Sequence, residues 1–160
     1  MVIVLMGVSG VGKTTIGRAL AQELQWRFAD GDDFHSAANI AKMHAGIPLT
    51  DQDRAPWLQS LRNAITGWLA SEENVVLACL ALKASYRAAL LVSSEVKLVY
   101  LRGSFELIAR RLGLRQGHYM NPHLLRGQFD TLEEPKDTLT MDAGLPVVQV
   151  VQGIRAALGI

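Results

Sequence analysis

The sequence predicts an α/β fold in which one parallel sheet is covered by helices on both faces. Three observations carry that prediction. Short apolar runs alternate with helix-period segments, as the buried strands and crossover helices of a parallel sheet do. The first run, Val2-Ile3-Val4-Leu5-Met6, passes directly into a glycine-rich turn and an amphipathic segment. The chain of 160 residues, nearly half of them hydrophobic, suits a single domain with one three-layer core.

Taken in order, residues 2–6 form the first strand and residues 14–24 the first helix, with Ile16, Leu20 and Leu24 on one stripe. Residues 25–29 lead into or form the second strand. A long helix over 55–70 carries Trp57 and Trp68 eleven positions apart, three helical turns, which places both on one buried stripe. Residues 75–79 and 97–101 are short, β-branched strands, and the valine-rich run 147–151 is read as the fifth. Helices over 105–112 and 153–158 complete the pattern, a five-stranded parallel sheet in all. Two polar segments, 30–53 and 114–135, stand outside the core pattern. Ligands of a doubly wound sheet lie beyond the carboxyl ends of its strands. The two segments are therefore the expected sources of an acceptor-binding insertion, at about residues 30–58, and a lid, at about 114–135.

Composition narrows the function. A net charge of +1 creates no global field for nucleic acid or for an acidic membrane surface. No apolar run reaches bilayer-spanning length. A single cysteine, Cys79, permits no internal disulfide, and Met1 leads straight into the first strand, so a cytoplasmic location is expected.

The turn after the first strand reads GVSGVGKT, which fits G-x-x-x-x-G-K-[ST] between a strand and a helix. Gly7, Gly10 and Gly12 permit a tight turn whose N–H groups face inward, and the helix dipole adds to the same spot. Gly7, Val8, Ser9, Gly10, Val11, Gly12, Lys13, Thr14 and Thr15 are thus the candidate nucleotide-binding residues. Lys13 is placed for the β- and γ-phosphates of ATP and the Thr14 hydroxyl for Mg²⁺.

After the second strand comes Asp30-Gly31-Asp32-Asp33-Phe34-His35, three carboxylates in four positions. Such a cluster can orient or deprotonate an acceptor hydroxyl and ligate Mg²⁺; it can equally be an acidic turn with a helix cap. Arg110, Arg111, Arg115 and His118 offer cations that clamp a transferring phosphoryl group, or else a solvated basic face. The histidines lack zinc-site spacing. Cys79 reads as a small buried residue with no activating base.

Together these motifs resemble the small P-loop gluconate kinases. The resemblance rests on GVSGVGKTT, on DGDDFH followed by NIAKMHAGIPLTDQDRAPWL, on ALKASYR, and on RLGLRQGHYM with LLRGQFDTLEEP, which span nearly the whole chain in order. It implies an adenylate-kinase-like core with a lid, ATP and Mg²⁺ as cofactors, transfer of the γ-phosphate to the 6-hydroxyl of D-gluconate, and a homodimer. By the same resemblance Lys13, Asp30, Asp32 and Arg115 match catalytic positions, with Asp30 beside Thr14 as a Mg²⁺ ligand. Asp32, His35, Arg54, Lys83 and His118 match substrate positions, and Arg111 a nucleotide position. Which of Asp30 and Asp32 serves the hydroxyl is left open.

Three departures from the family pattern stand out. Leu80 replaces a serine in C-S-A-L-K, Ser36 replaces a proline after His35, and Gly127 replaces the serine of S-Q-F. Leu80 removes a hydroxyl near the expected pocket, and Ser36 is expected to loosen the entry to the following helix. The competing readings are a kinase for another hydroxy acid, shikimate-like in its logic, and a nucleotide-binding regulator without turnover.

Overall fold

Every residue of Val2–Met6 is buried, because this strand lies at the centre of the sheet and packs on both faces. The computed structural model describes residues 1–114 and 122–160. Its elements run β1 (Val2–Met6), α1 (Lys13–Leu24), β2 (Arg27–Asp30), a 3-10 turn (Gly31–Phe34), α2 (Ala37–His44) and α3 (Asp51–Ala70). They continue as β3 (Val75–Cys79), α4 (Ala84–Leu90), β4 (Val96–Arg102), α5 (Phe105–Leu114), α6 (Pro122–Thr131), β5 (Leu139–Asp142) and α7 (Val147–Leu158). The sheet order is β2-β3-β1-β4-β5 and all pairings are parallel, with Val2 opposite Val75 on one side and Val96 on the other.

Strand alternation divides the core in two. Ile3 and Leu5 of β1 face α1 and α7, where they meet Ile16, Leu20, Val150, Val151 and Ile154. Val2, Val4 and Met6 face α3, whose Trp57, Leu61, Ile65 and Trp68 form the single buried stripe that the sequence predicted. Thr50 starts α3 with a capping box: its hydroxyl accepts from the Asp53 N–H while Asp53 accepts from the Thr50 N–H, both at 3.0 Å.

The carboxyl end of the chain corrects one expectation. Residues 147–151 are the first turns of α7, and the fifth strand is Leu139–Asp142. The valines misled through their β-propensity, yet the buried Val150, Val151 and Ile154 recur at helical spacing behind Pro146. β5 escaped notice because it is an edge strand, with Thr140 and Asp142 facing solvent. Helices α4 and α6 fall where the sequence reading assigned no helix. Ser36 does not loosen the entry to α2: its Oγ accepts from the Asn39 N–H at 3.1 Å and caps the helix.

Candidate active site

The turn leaving β1 is shaped by close approaches that only glycine allows. Gly7 has φ 150°, and a Cβ there would sit 2.8 Å from the Leu101 carbonyl oxygen. Gly10 has φ 81° and lies against α5, where a Cβ would meet Leu112 at 2.8 Å. Val8 and Val11 sink their side chains into the core, so only their backbone faces the loop cavity. The residue at the N-cap of α1 is Gly12, in the left-handed region at φ 105°, and it offers no side chain to cap the helix. Lys13 folds back over the loop, its Nζ donating to the carbonyls of Gly7 and Val8 at 2.9 Å each. Thr14 and Thr15 are exposed at the start of the helix. Glycine turn, helix start and lysine are the parts of which a phosphate-binding loop is built.

Beside it, β2 delivers the acidic turn. Asp30 Oδ1 accepts from the Asp32 N–H at 3.0 Å, so one carboxylate does cap the turn. Gly31 passes so close to β3 that a Cβ would come within 3.0 Å of the Ala78 carbonyl oxygen. The buried Trp57 indole N–H donates to the Gly31 carbonyl at 2.7 Å and pins the turn to α3. Desolvation, reinforced by Asp30, raises Asp32 above the ordinary carboxylate range, against the pull of Lys13. A carboxylate so raised is a better proton acceptor than an ordinary one.

His35 stacks on Trp57, with ring centroids 4.6 Å apart and planes 8° from parallel. The side-chain amide of the buried Asn39 has two protons to give. One goes to the Asp53 carbonyl at 2.9 Å, and its nitrogen also stands 3.3 Å from His35 Nδ1. Nδ1 is then the acceptor, and the ring proton sits on Nε2. Burial lowers the His35 pKa, and Arg54 lowers it further, so the ring is neutral at pH 7.

On the facing side, α3 and α4 assemble a charged cluster. Lys83 Nζ donates to both Asp51 carboxylate oxygens, at 2.8 and 3.0 Å, and the Tyr86 hydroxyl donates to Asp51 as well. The Arg54 guanidinium stands over the Tyr86 ring, 5.7 Å from its centroid. The hydrogen bonds to Lys83 and Tyr86 hold Asp51 below the usual carboxylate range, and Asp51 in turn raises Lys83. Two cations against one carboxylate leave an excess positive charge suited to a carboxylate ligand.

The remaining candidates divide. Arg111 donates to the Ala143 carbonyl and ties α5 to the loop after β5. Arg115 and His118 lie outside the described residues. Cys79 is 3% exposed and its thiol is pushed up to about 12 by burial, in keeping with an inert core residue. Leu80 packs on the core and its carbonyl accepts from the Gly7 N–H at 3.4 Å, so the departure from serine keeps a backbone link to the loop. Sequence reasoning missed Asp51, Tyr86 and Asn39 and took Trp57 as core alone. Asp51 and Tyr86 stood inside recognised motifs, but no local pattern says that they meet.

The donor set also bears on metal. Among the described residues no group of three or more His, Cys, Asp or Glu side chains could hold an ion. Mg²⁺ needs no such cage, because phosphates and water supply most of its ligands. An exposed hydroxyl and a carboxylate therefore fit it, and Thr14 and Asp30 are of those types.

A curated relative from Rattus norvegicus, a probable gluconokinase, is 44% identical over 92% of this chain and 92% of its own length. The chain belongs to the gluconokinase family. The thermosensitive gluconokinase of Escherichia coli (strain K12) is 41% identical, covering 97% of this chain and 86% of the relative. A solved gluconokinase from Sinorhizobium meliloti 1021 superposes with a TM-score of 0.88 at 42% identity, over 98% of this chain and 90% of that one. The shikimate kinase family model matches residues 9–137 of this chain. Among the described residues no helix is long and apolar enough to cross a membrane.

Proposed function

We propose that this protein phosphorylates D-gluconate with ATP, passing the γ-phosphoryl group in line to the 6-hydroxyl to give 6-phospho-D-gluconate. The observation that carries the reading is 41–44% identity to gluconokinases along almost the entire chain. The geometry supports it by setting a phosphate cradle, a raised carboxylate and an excess positive charge around one end of the sheet.

On the donor side, the glycine-rich turn and helix start at residues 7–15, with the Lys13 ammonium, hold the ATP phosphates. The Thr14 hydroxyl with Asp30 would hold Mg²⁺, which would supply positive charge to the phosphates. Asp32 accepts the proton of the attacking hydroxyl: its pKa is raised, whereas Asp30 already spends an oxygen on the turn. Arg54 and Lys83 receive the gluconate carboxylate, and neutral His35 offers Nε2–H to a hydroxyl. Residues 30–58 act as the acceptor-binding insertion and residues 114–135 as the lid. Arg115 supplies transition-state charge there, His118 a substrate contact, and Arg111 orders the nucleotide end. We place the enzyme in the cytoplasm as a homodimer.

The test is ADP release with Mg-ATP across D-gluconate, other aldonates and shikimate. Saturable turnover on gluconate supports the reading. Turnover on shikimate alone would favour the second reading, which the shikimate kinase family model keeps open. Lys13→Ala is expected to lower turnover by at least about a hundredfold with its melting temperature near the parent's. Retained turnover would exclude the loop as the phosphate site.

A further inference from the structure

The most specific long-range contact to the glycine-rich loop comes from α6. The Ser9 N–H donates to Gln128 Oε1 at 2.7 Å, and Gln128 Nε2 donates to Ser9 Oγ at 2.9 Å, joining residues 119 positions apart. The paired bonds use both ends of the Gln128 amide and fix the Ser9 backbone and side chain together.

Gln128 is itself held in place. Leu125 of α6 is 1% exposed, Phe129 packs edge-to-face on Phe105, and the Arg126 guanidinium lies 3.6 Å from the Phe105 ring centroid. Just beyond α6, the Glu133 N–H donates to the Leu82 carbonyl at 2.9 Å and Glu133 Oε2 accepts from the Ala84 N–H at 3.3 Å. The helix touches the glycine-rich loop through Gln128, and the chain just after it touches the segment before α4, which carries Lys83, through Glu133.

The loop's two halves are chemically distinct. Lys13 Nζ bonds the carbonyls of Gly7 and Val8, which puts the ammonium at the entry half, next to Ser9. The exit half is the amino end of α1. Because the loop lysine serves the β- and γ-phosphates, Ser9 stands toward the terminal phosphoryl group and the helix end toward the inner ones. We propose that Gln128 is a positioning residue for the reaction: through its two bonds to Ser9 it sets the loop segment facing the γ-phosphoryl group. The inference rests on the reading of residues 7–15 as the nucleotide-phosphate site.

The experiment compares binding of ADP and of the non-hydrolysable β,γ-imido analogue of ATP, by calorimetry with Mg²⁺, in the parent, Gln128→Met, Gln128→Glu and Ser9→Ala. Gln128→Met loses both bonds at similar volume. It is expected to weaken the ATP analogue by about tenfold and ADP by less than about twofold, with kcat reduced. Gln128→Glu keeps an acceptor for the Ser9 N–H and can accept from the hydroxyl, but brings a negative charge. Its loss of analogue binding should shrink as salt is raised, with ADP binding retained. Ser9→Ala combined with Gln128→Met should add little to Gln128→Met alone. Equal weakening of both nucleotides by Gln128→Met, or no change in either, overturns the proposal, the first by showing a strut for the fold as a whole. Parent protein that binds neither nucleotide would instead reject the loop reading on which it rests.

Discussion

Asn39 is the buried side chain that links His35 to α3. It is 6% exposed, and its amide nitrogen faces the Asp53 carbonyl at 2.9 Å and His35 Nδ1 at 3.3 Å. Asn39→Ala removes both contacts but keeps the backbone N–H that Ser36 caps. At about 0.5–1.5 kcal/mol net for each bond, the loss sums to roughly 1–3 kcal/mol. With a urea slope of about 2 kcal/mol per molar, the unfolding midpoint should fall by about 0.5–1.5 M. Asn39→Asp sharpens the test, because it sets a carboxylate against two acceptors, the Asp53 carbonyl and neutral Nδ1. At pH 7.5 that variant should be less stable than Asn39→Ala. At pH 5.5 a protonated His35 can donate to the new carboxylate, and the gap should narrow. In steady-state kinetics both variants should raise the gluconate KM several-fold with little change in the ATP KM, because the freed ring no longer presents Nε2–H. An Asn39→Ala protein within about 0.5 kcal/mol of the parent, or an Asn39→Asp protein as stable as the parent at pH 7.5, would refute the assigned hydrogen bonds and His35 tautomer.

Two further perturbations test the electrostatics. Desolvation and the neighbouring Asp30 both work against the charged form of Asp32 and raise its pKa. Asp32→Asn should therefore raise the melting temperature while cutting turnover by about a hundredfold or more, a trade expected where function maintains an unfavourable charge. The parent should lose stability in acid in two stages, followed by thermal melts from pH 8 to pH 3. The lowered His35 pKa means that the fold favours the neutral ring, so that stability declines as pH falls below the unfolded histidine value of about 6.5. Asp51 and Asp53 have lowered pKa values, so their contribution is present above the unfolded carboxylate value of about 3.9 and is lost as pH falls through their folded values. Replacing His35 by Gln should remove the first stage and leave the second.

Much of this protein is legible in its sequence where the signal is local. The apolar runs of β1 and β3 are buried on both faces, so continuous hydrophobicity marks their limits, and the glycine spacing after β1 carries its own geometry. The long α3 declares itself through a stripe at helical spacing, although its capped start at Asp51 lies ahead of the 55–70 expected. What eluded a local reading follows from packing. The run at 147–151 is β-branched enough for a strand, and only its docking of Val150, Val151 and Ile154 beside α1 makes it the start of α7. β5 is a strand because β4 offers it an edge, with Val99 opposite Leu139, not because its own residues demand one. The site divides in the same way. The phosphate loop and the acidic turn stand in the sequence as motifs. The Ser9–Gln128 pair spans 119 positions, Lys83 finds Asp51 across 32, and Trp57 reaches Gly31 across 26. Sequence by itself determined the residue types and the strands that present them. Only the tertiary structure decided which charges meet and which protons are held, because partner choice and desolvation arise from elements brought together by the sheet order β2-β3-β1-β4-β5.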